Sequence, residues 1–230
     1  MKQLATTAIV LSRIDYGEAD RIITFLTPDN GKLRAIAKGV RRQKSKLAGG
    51  IELFSISDIT YIKGKSELHT VISTRLEQHF GNIVSDINRT MLGYDMLKIL
   101  SRALEDEGGP EFFELLVSSL DILNNLNVSK DLAESSFLLQ LMRILGHVPN
   151  LTHDARGGDL PLQGNFQFSF DDVAFFSSEN GPYTLNHLKL LRLLAYNPPQ
   201  SLVKVKDLEV YLQDLVVLVR NMSRQYVVSF

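Results

Sequence analysis

The hydrophobic period of this chain changes near residue 80, from about two residues to about 3.6, and that change restricts the fold more than any other feature. Up to that point, short β-branched segments alternate with turn residues. They predict five strands, over 8–14, 21–26, 33–38, 56–63 and 68–76. Asp29-Asn30-Gly31 marks a tight turn between the second and third, because Asn and Gly tolerate the positive φ of a hairpin. A second hairpin is expected at Ile62-Lys63-Gly64-Lys65. Five short strands with a long loop after the third suit a partly open OB-type barrel.

Beyond residue 80, apolar residues recur at spacings of three and four. Ile83, Ile87, Met91, Tyr94, Leu97 and Leu100 form one stripe, and Phe113, Leu116, Leu120 and Leu123 another. Asp131 and Glu134 form an N-capping pattern for a third helix, with Leu138, Leu141, Met142 and Leu145 on its core face. Thr184 is placed to cap a fourth, which Asn197-Pro198-Pro199 stops, and Leu208, Leu212, Leu215, Val219 and Met222 line the last. A Gly- and Phe-rich stretch over 150–183 reads as an inserted β-hairpin. The expected class is α+β, with a five-stranded OB-fold domain over 1–80 and a mostly helical domain over 81–230.

A net charge of -1 hides a split. Residues 1–80 hold 13 Lys and Arg against eight acids, a net +5, and the remainder holds 12 against 18, a net -6. Lys32, Arg34, Lys38, Arg41, Arg42, Lys44 and Lys46 place seven bases in fifteen residues with no acid among them. Solvated loops usually mix their signs, whereas phosphates attract Lys and Arg whatever the base sequence. This density at a strand end and in its loop predicts a groove that tracks a nucleic-acid backbone, with an ordinary basic surface as the plain alternative. Lys38, Arg41, Arg42, Lys44 and Lys46 are the central candidates, and Arg21, Lys32 and Arg34 stand at the rim. Tyr16, Phe25, Phe54 and Tyr61 are available for base stacking, although an aromatic in a barrel strand is more often core.

Nothing in the chain asks for catalysis. Gly64-Lys65-Ser66 resembles the end of a phosphate-binding P-loop, but Ile59 stands where the second glycine belongs and a strand follows instead of a helix. Neither a Gly-x-Ser-x-Gly elbow nor a His-Glu-x-x-His pair occurs, and His69, His79, His147, His153 and His187 are scattered. No cofactor, metal or small-molecule substrate is expected. The absence of cysteine excludes disulfides and thiolate metal sites, and fits a reducing, cytoplasmic setting. Leu4 to Leu11 is apolar, but Arg13, Asp15 and Glu18 follow without a small-residue cleavage site, so neither secretion nor membrane association is expected.

The string Ala8-Ile9-Val10-Leu11, then Tyr16-Gly17-Glu18-Ala19-Asp20-Arg21-Ile22-Ile23 and Leu26-Thr27, resembles the opening of RecO recombination mediators. So does Gly31-Lys32 followed by Ala35-Ile36-Ala37-Lys38-Gly39-Val40-Arg41-Arg42 and Lys44-Ser45. Further on, Leu145-Gly146-His147-Val148-Pro149-Asn150-Leu151 looks like that family's junction before its zinc module. The resemblance implies a bacterial, cytoplasmic and nucleoid-associated DNA repair protein without catalytic turnover. It implies binding of single- and double-stranded DNA and annealing of strands coated with single-stranded-DNA-binding protein. It also implies two partners, the C-terminal tail of that protein and RecR, with which RecA recombinase is loaded. The acidic helical part is then the expected partner-binding half. The residues alone leave a second class open, a barrel adaptor that binds RNA or protein as a scaffold, because phosphate contacts do not read the 2′-hydroxyl.

One departure from the family is local. Many members carry Cys-x-x-Cys after that junction and a second pair further on, whereas Asp154 and Gly157 occupy the first pair's spacing here. His147, His153, Asp154, Asp159, Asp171, Asp172 and Glu179 lack the paired spacing by which one turn offers two ligands. Phe166, Phe168, Phe170, Phe175 and Phe176 suggest that a small aromatic core replaces the metal, since a buried ring contributes about 1.5–3 kcal/mol. Untagged protein should therefore carry no stoichiometric zinc by mass spectrometry and should melt identically with and without a strong chelator. Bound zinc, or a chelator-dependent loss of stability, refutes that expectation.

Overall fold

The computed structural model describes residues 2–64, 67–104 and 108–227. Eight strands and six helices lie within them. Five strands form the N-terminal barrel: β1 (Gln3–Tyr16), β2 (Asp20–Thr27), β3 (Gly31–Ala37), β4 (Ser55–Ile62) and β5 (Leu68–His79). β1 serves two neighbours. Its residues Gln3 to Ile9 pair with β4, and Ile9 to Tyr16 pair with β2 across a register shift between Val10 and Ser12. The extra residue of such a bulge bends the strand and increases its twist. The sheet, in the order β1-β2-β3-β5-β4, therefore closes on itself instead of staying partly open, with β3 and β5 parallel.

Alternation fixes which side chains fill the barrel. Val10, Ile23, Phe25, Leu33, Ile59, Tyr61 and Val71 point inward, and Ala8, Ala35 and Ala37 leave room for the large rings. Gly31, at φ 58, closes the expected β2–β3 turn, where Thr27 Oγ1 accepts from the Asn30 N–H at 3.1 Å. β4 and β5 are antiparallel. Lys65 of the hairpin expected between them, and Ser66 beside it, lie outside the described residues.

Helices α1 (Ile87–Ala103) and α2 (Pro110–Asn124) belong by contact to the barrel, and the first compact unit is Met1–Asn125. Phe54 packs against α1. It is buried at φ 58, a left-handed conformation that costs a bulky residue about 1–2 kcal/mol. Its ring meets the edge of Tyr94 at 5.4 Å, and its carbonyl accepts from the Phe80 N–H at 2.9 Å. Gly93 lets the ring approach, because a Cβ at that position would stand 2.7 Å from Phe54 Cε1. The expected stripe on α1 is thereby rotated. Arg89, Gly93, Met96, Leu97 and Leu100 are buried, whereas Ile87, Met91 and Tyr94 are exposed. The Arg89 guanidinium donates to the carbonyls of Leu123, at 2.7 Å, and Asn125, at 3.3 Å, which satisfies the C-terminus of α2.

This packing also moves the charge. Residues 81–125 hold three bases and eight acids, a net -5, whereas residues 126–230 hold nine and ten, a net -1. The acidic surplus expected of a separate helical body thus sits in the stretch that packs with the barrel.

The second unit, Leu126–Phe230, contains α3 (Lys130–Ile144), β6 (Asn165–Ser169), β7 (Ala174–Ser177), β8 (Tyr183–Thr184), α4 (Leu185–Tyr196), α5 (Pro199–Leu202) and α6 (Leu208–Tyr226). Ser129, not Asp131, caps α3 by accepting from the Asp131 N–H. Thr184 caps α4 as its spacing predicts, in a capping box completed by His187. Helix α3 packs against α4 and α6, and Arg220 grips Glu134 with two hydrogen bonds of 2.5 and 2.6 Å. The inserted hairpin is a three-stranded sheet, since β8 pairs with β6 on the edge opposite β7.

Phe166, Phe168 and Phe175 are buried, and Phe168 meets both Phe170 and Phe175 edge-on at 5.0 Å. Phe176 faces away, 40% exposed. Nearby, the Asp154 carboxylate accepts from the N–H groups of Arg156 and Gly158, both at 2.9 Å, and His153 bonds Asp159 at 3.0 Å. The turn is closed by a carboxylate on backbone N–H groups. Among the described residues no three His, Asp or Glu side chains converge as a metal site.

Gly93→Val should lower stability by about 1–3 kcal/mol in urea unfolding, the usual cost of overpacking. Shortening the opposing ring by Phe54→Leu should make the double variant more stable than the two single losses added together. Strict additivity would show that the two residues do not share this contact.

Candidate nucleic-acid interface

The long loop after β3 is ordered because its apolar residues belong to the barrel. Val40 and Ile51 are buried in the barrel core, and Leu47, Ala48 and Leu53 pack against it. What remains outside is cationic: Lys38, Arg41, Arg42, Lys44 and Lys46 are all exposed. Two backbone N–H groups of the loop hold it against the tip of the β1–β2 hairpin. The Arg41 N–H donates to the Ala19 carbonyl at 2.9 Å, and the Gly39 N–H donates to Asp20 Oδ1 at 2.7 Å. Within the loop the Arg42 N–H reaches the Gly39 carbonyl at 3.1 Å and the Ser45 N–H reaches the Arg42 carbonyl at 3.0 Å. On its far side, Thr74 Oγ1 donates to the Leu47 carbonyl at 3.2 Å.

Asp15 is the electrostatic hinge of this end. It accepts from Arg21 Nε at 2.8 Å and lies 3.4 Å from Arg41 Nε. The Arg21 hydrogen bond holds its carboxyl below the ordinary range, against the opposing effect of burial and with smaller help from the charges of Arg41, Arg21 and Arg13. Those two arginines are thereby engaged. Lys38, Arg42, Lys44 and Lys46, like Lys32 and Arg34, make no ion pair with a described residue. Together, residues 15–21 and 38–46 carry six bases and three acids, Asp15, Glu18 and Asp20, so this end is +3 in spite of its scaffold acids.

The sequence candidates are not all gathered in one place. Along β3, Leu33, Ala35 and Ala37 point into the barrel, so Lys32, Arg34, Ile36 and Lys38 point out. At about 3.3 Å per residue, Arg34 lies roughly 13 Å and Lys32 roughly 20 Å along the strand from Lys38. Lys32 is half-buried opposite Leu26, at the far end of the strand from the loop. Arg21 joins the loop through Asp15, and Arg34 extends the basic line along the outer face.

Aromatic residues sort differently from their sequence reading. Phe25, Phe54 and Tyr61 are core, at 0%, 1% and 4% exposure, but Tyr16 is 55% exposed at the hairpin tip. It stands across from Asp20, whose next residue, Arg21, pairs with Ala37, the residue before Lys38. The neighbouring outward row is Ile14, Ile22 and Ile36, with Ile14 63% exposed. Its sequence signal is Tyr16-Gly17 at the end of a strand that outruns its own hydrophobic alternation.

Comparison with known proteins agrees with this organisation. Residues 1–80 match the family model described as recombination protein O N terminal, and residues 84–227 match recombination protein O C terminal. The chain is 30% identical over 222 residues to a DNA repair protein RecO of Dehalococcoides mccartyi, covering 94% of this chain and 87% of that one. It is 38% identical over 154 residues to the protein of the same name from Desulfatibacillum aliphaticivorans, 66% of this chain and 60% of the other. A Roseiflexus relative, also called DNA repair protein RecO, is 32% identical over 201 residues, with 84% and 70% covered. The first strands, the basic loop and the helical remainder thus carry one signature from end to end, and the chain belongs to the RecO family of DNA repair proteins.

Proposed function

We propose that this protein is a non-catalytic recombination mediator whose loop over 38–46 tracks the phosphate backbone of single- and double-stranded DNA. The observation that supports this is the state of its cations. Lys38, Arg42, Lys44 and Lys46 are exposed and free of ion pairs with described residues, on a loop held by buried Val40 and Ile51. No internal acid has to be displaced before such cations meet a phosphate. Association instead releases counterions from the strand, which favours binding at low salt.

Arg21 and Arg41 act partly through Asp15, and Arg34 and Lys32 continue the path along β3. Contacts made to the backbone leave base edges free to pair. That is the property needed to anneal strands coated with single-stranded-DNA-binding protein. RecR and the C-terminal tail of single-stranded-DNA-binding protein are the partners that the family resemblance carries, with loading of recombinase as the outcome. Among the described residues no helix is long and apolar enough to cross a membrane, which is compatible with work at the nucleoid in the cytoplasm.

If about four phosphates are neutralised, affinity for a single strand should fall with salt at a log–log slope of roughly -3. Replacing Arg42, Lys44 and Lys46 with Ala should flatten that slope to about -1 and weaken binding to single strands and duplex alike. The same variant should lose annealing of complementary strands coated with single-stranded-DNA-binding protein. An unchanged slope in the triple variant places the interface elsewhere.

A further inference from the structure

We propose that Tyr16, flanked by Ile14, is a base-stacking ledge that gives the basic interface its preference for single strands; this rests on the phosphate-tracking role of the loop over 38–46. Three observations meet at this point. Tyr16 and Ile14 are large apolar side chains left 55% and 63% exposed at the end of the β1–β2 hairpin. The tip is not a loose end, because Asp15, Ala19 and Asp20 each bond the basic loop or the arginine beside it. Lastly, Tyr16 pairs with Asp20 beside the Arg21–Ala37 pair, and Lys38 directly follows Ala37, so about two strand spacings, roughly 10 Å, separate the backbones of Tyr16 and Lys38.

An exposed ring beside cations that have no acidic partner suits one kind of ligand. A nucleotide presents a flat apolar base and a charged phosphate within the same short distance, so ring and cation can be engaged by one strand. In a duplex the base faces are covered by their neighbours, and only the phosphates remain available. The cations therefore hold either form, while Tyr16 adds binding only where a base is unstacked. The Ile14, Ile22 and Ile36 row extends the apolar surface beside the ring. Glu18, the tip acid without an ion pair to a described residue, stands two residues from Tyr16 and disfavours a phosphate at the ledge itself.

The test uses the full chain and three ligands of equal length: a thymine oligonucleotide, the same backbone with abasic sites, and a duplex. Tyr16→Ala should weaken binding of the thymine strand by roughly 5- to 100-fold, while abasic and duplex affinities change less than about twofold. Its salt slope should stay at the wild-type value, because no phosphate contact is removed. Tyr16→Phe should keep wild-type affinity. The chain has no tryptophan, so Tyr16→Trp installs a single indole whose fluorescence should be quenched by the thymine strand and not by the abasic one. Equal losses on thymine and abasic strands, or equal quenching by both, overturn the ledge while leaving the phosphate interface standing. A wild-type chain that binds none of the three ligands overturns both.

Discussion

A strand of fourteen residues that pairs on both of its edges is the constraint from which the N-terminal unit follows. β1 gives its first half to β4 and its second to β2, and only the irregularity between Val10 and Ser12 lets one strand turn between two partners. Closure then removes the free sheet edges that a five-stranded sheet would otherwise expose. It also leaves two places for the residues that do not fit inside. One is the outer face, where Ile9 and Leu26 are buried although Val10 and Phe25 are the residues that point into the barrel. The other is the end of the β1–β2 hairpin, which extends past the closed part and carries Tyr16 into solvent.

Acids and bases are distributed by role more than by region. Asp15 and Asp20 lie in the most basic neighbourhood of the chain, yet they position it. One aligns two arginines and the other accepts a loop N–H. An ionised carboxylate that accepts charge-assisted bonds is a stronger fastener than a neutral side chain, and it spends only one negative charge against several positive ones. The cations left over stand on a loop pinned by buried aliphatic residues. Asp154 repeats this use of a carboxylate in the second unit, where it closes a turn through backbone N–H groups.

Much was legible from one-dimensional pattern. The five strands, the Asn30-Gly31 turn, the Thr184 cap and the buried face of α6 all follow from local chemistry: alternation, turn residues, capping and a period of about 3.6. The basic loop was equally visible, because charge density needs no fold to be counted. Less visible was anything set by a small residue or a distant contact. Gly93 contributes nothing to a hydrophobic stripe, yet the approach of Phe54 to it turns α1 so that Met91 and Ile87 face outward. β8 is too short to announce itself, and it becomes a strand only because β6 has a free edge.

The sequence by itself therefore determined the order of architectures, from barrel to helices, the family and the cationic loop, since each depends on residues close together in the chain. Tertiary structure decided how these are combined. It joined the acidic stretch over 81–125 to the basic barrel, with Phe54 buried against α1, so the charge split at residue 80 does not follow the division into compact units. It separated Tyr16 from the other three aromatics, since the direction of a side chain at a strand's end depends on whether a neighbouring element covers it. It also divided the eight cations into those engaged by Asp15 and those left without an acid. That distinction is a matter of distances of 2.8 and 3.4 Å between residues on different elements, which no spacing along the chain encodes.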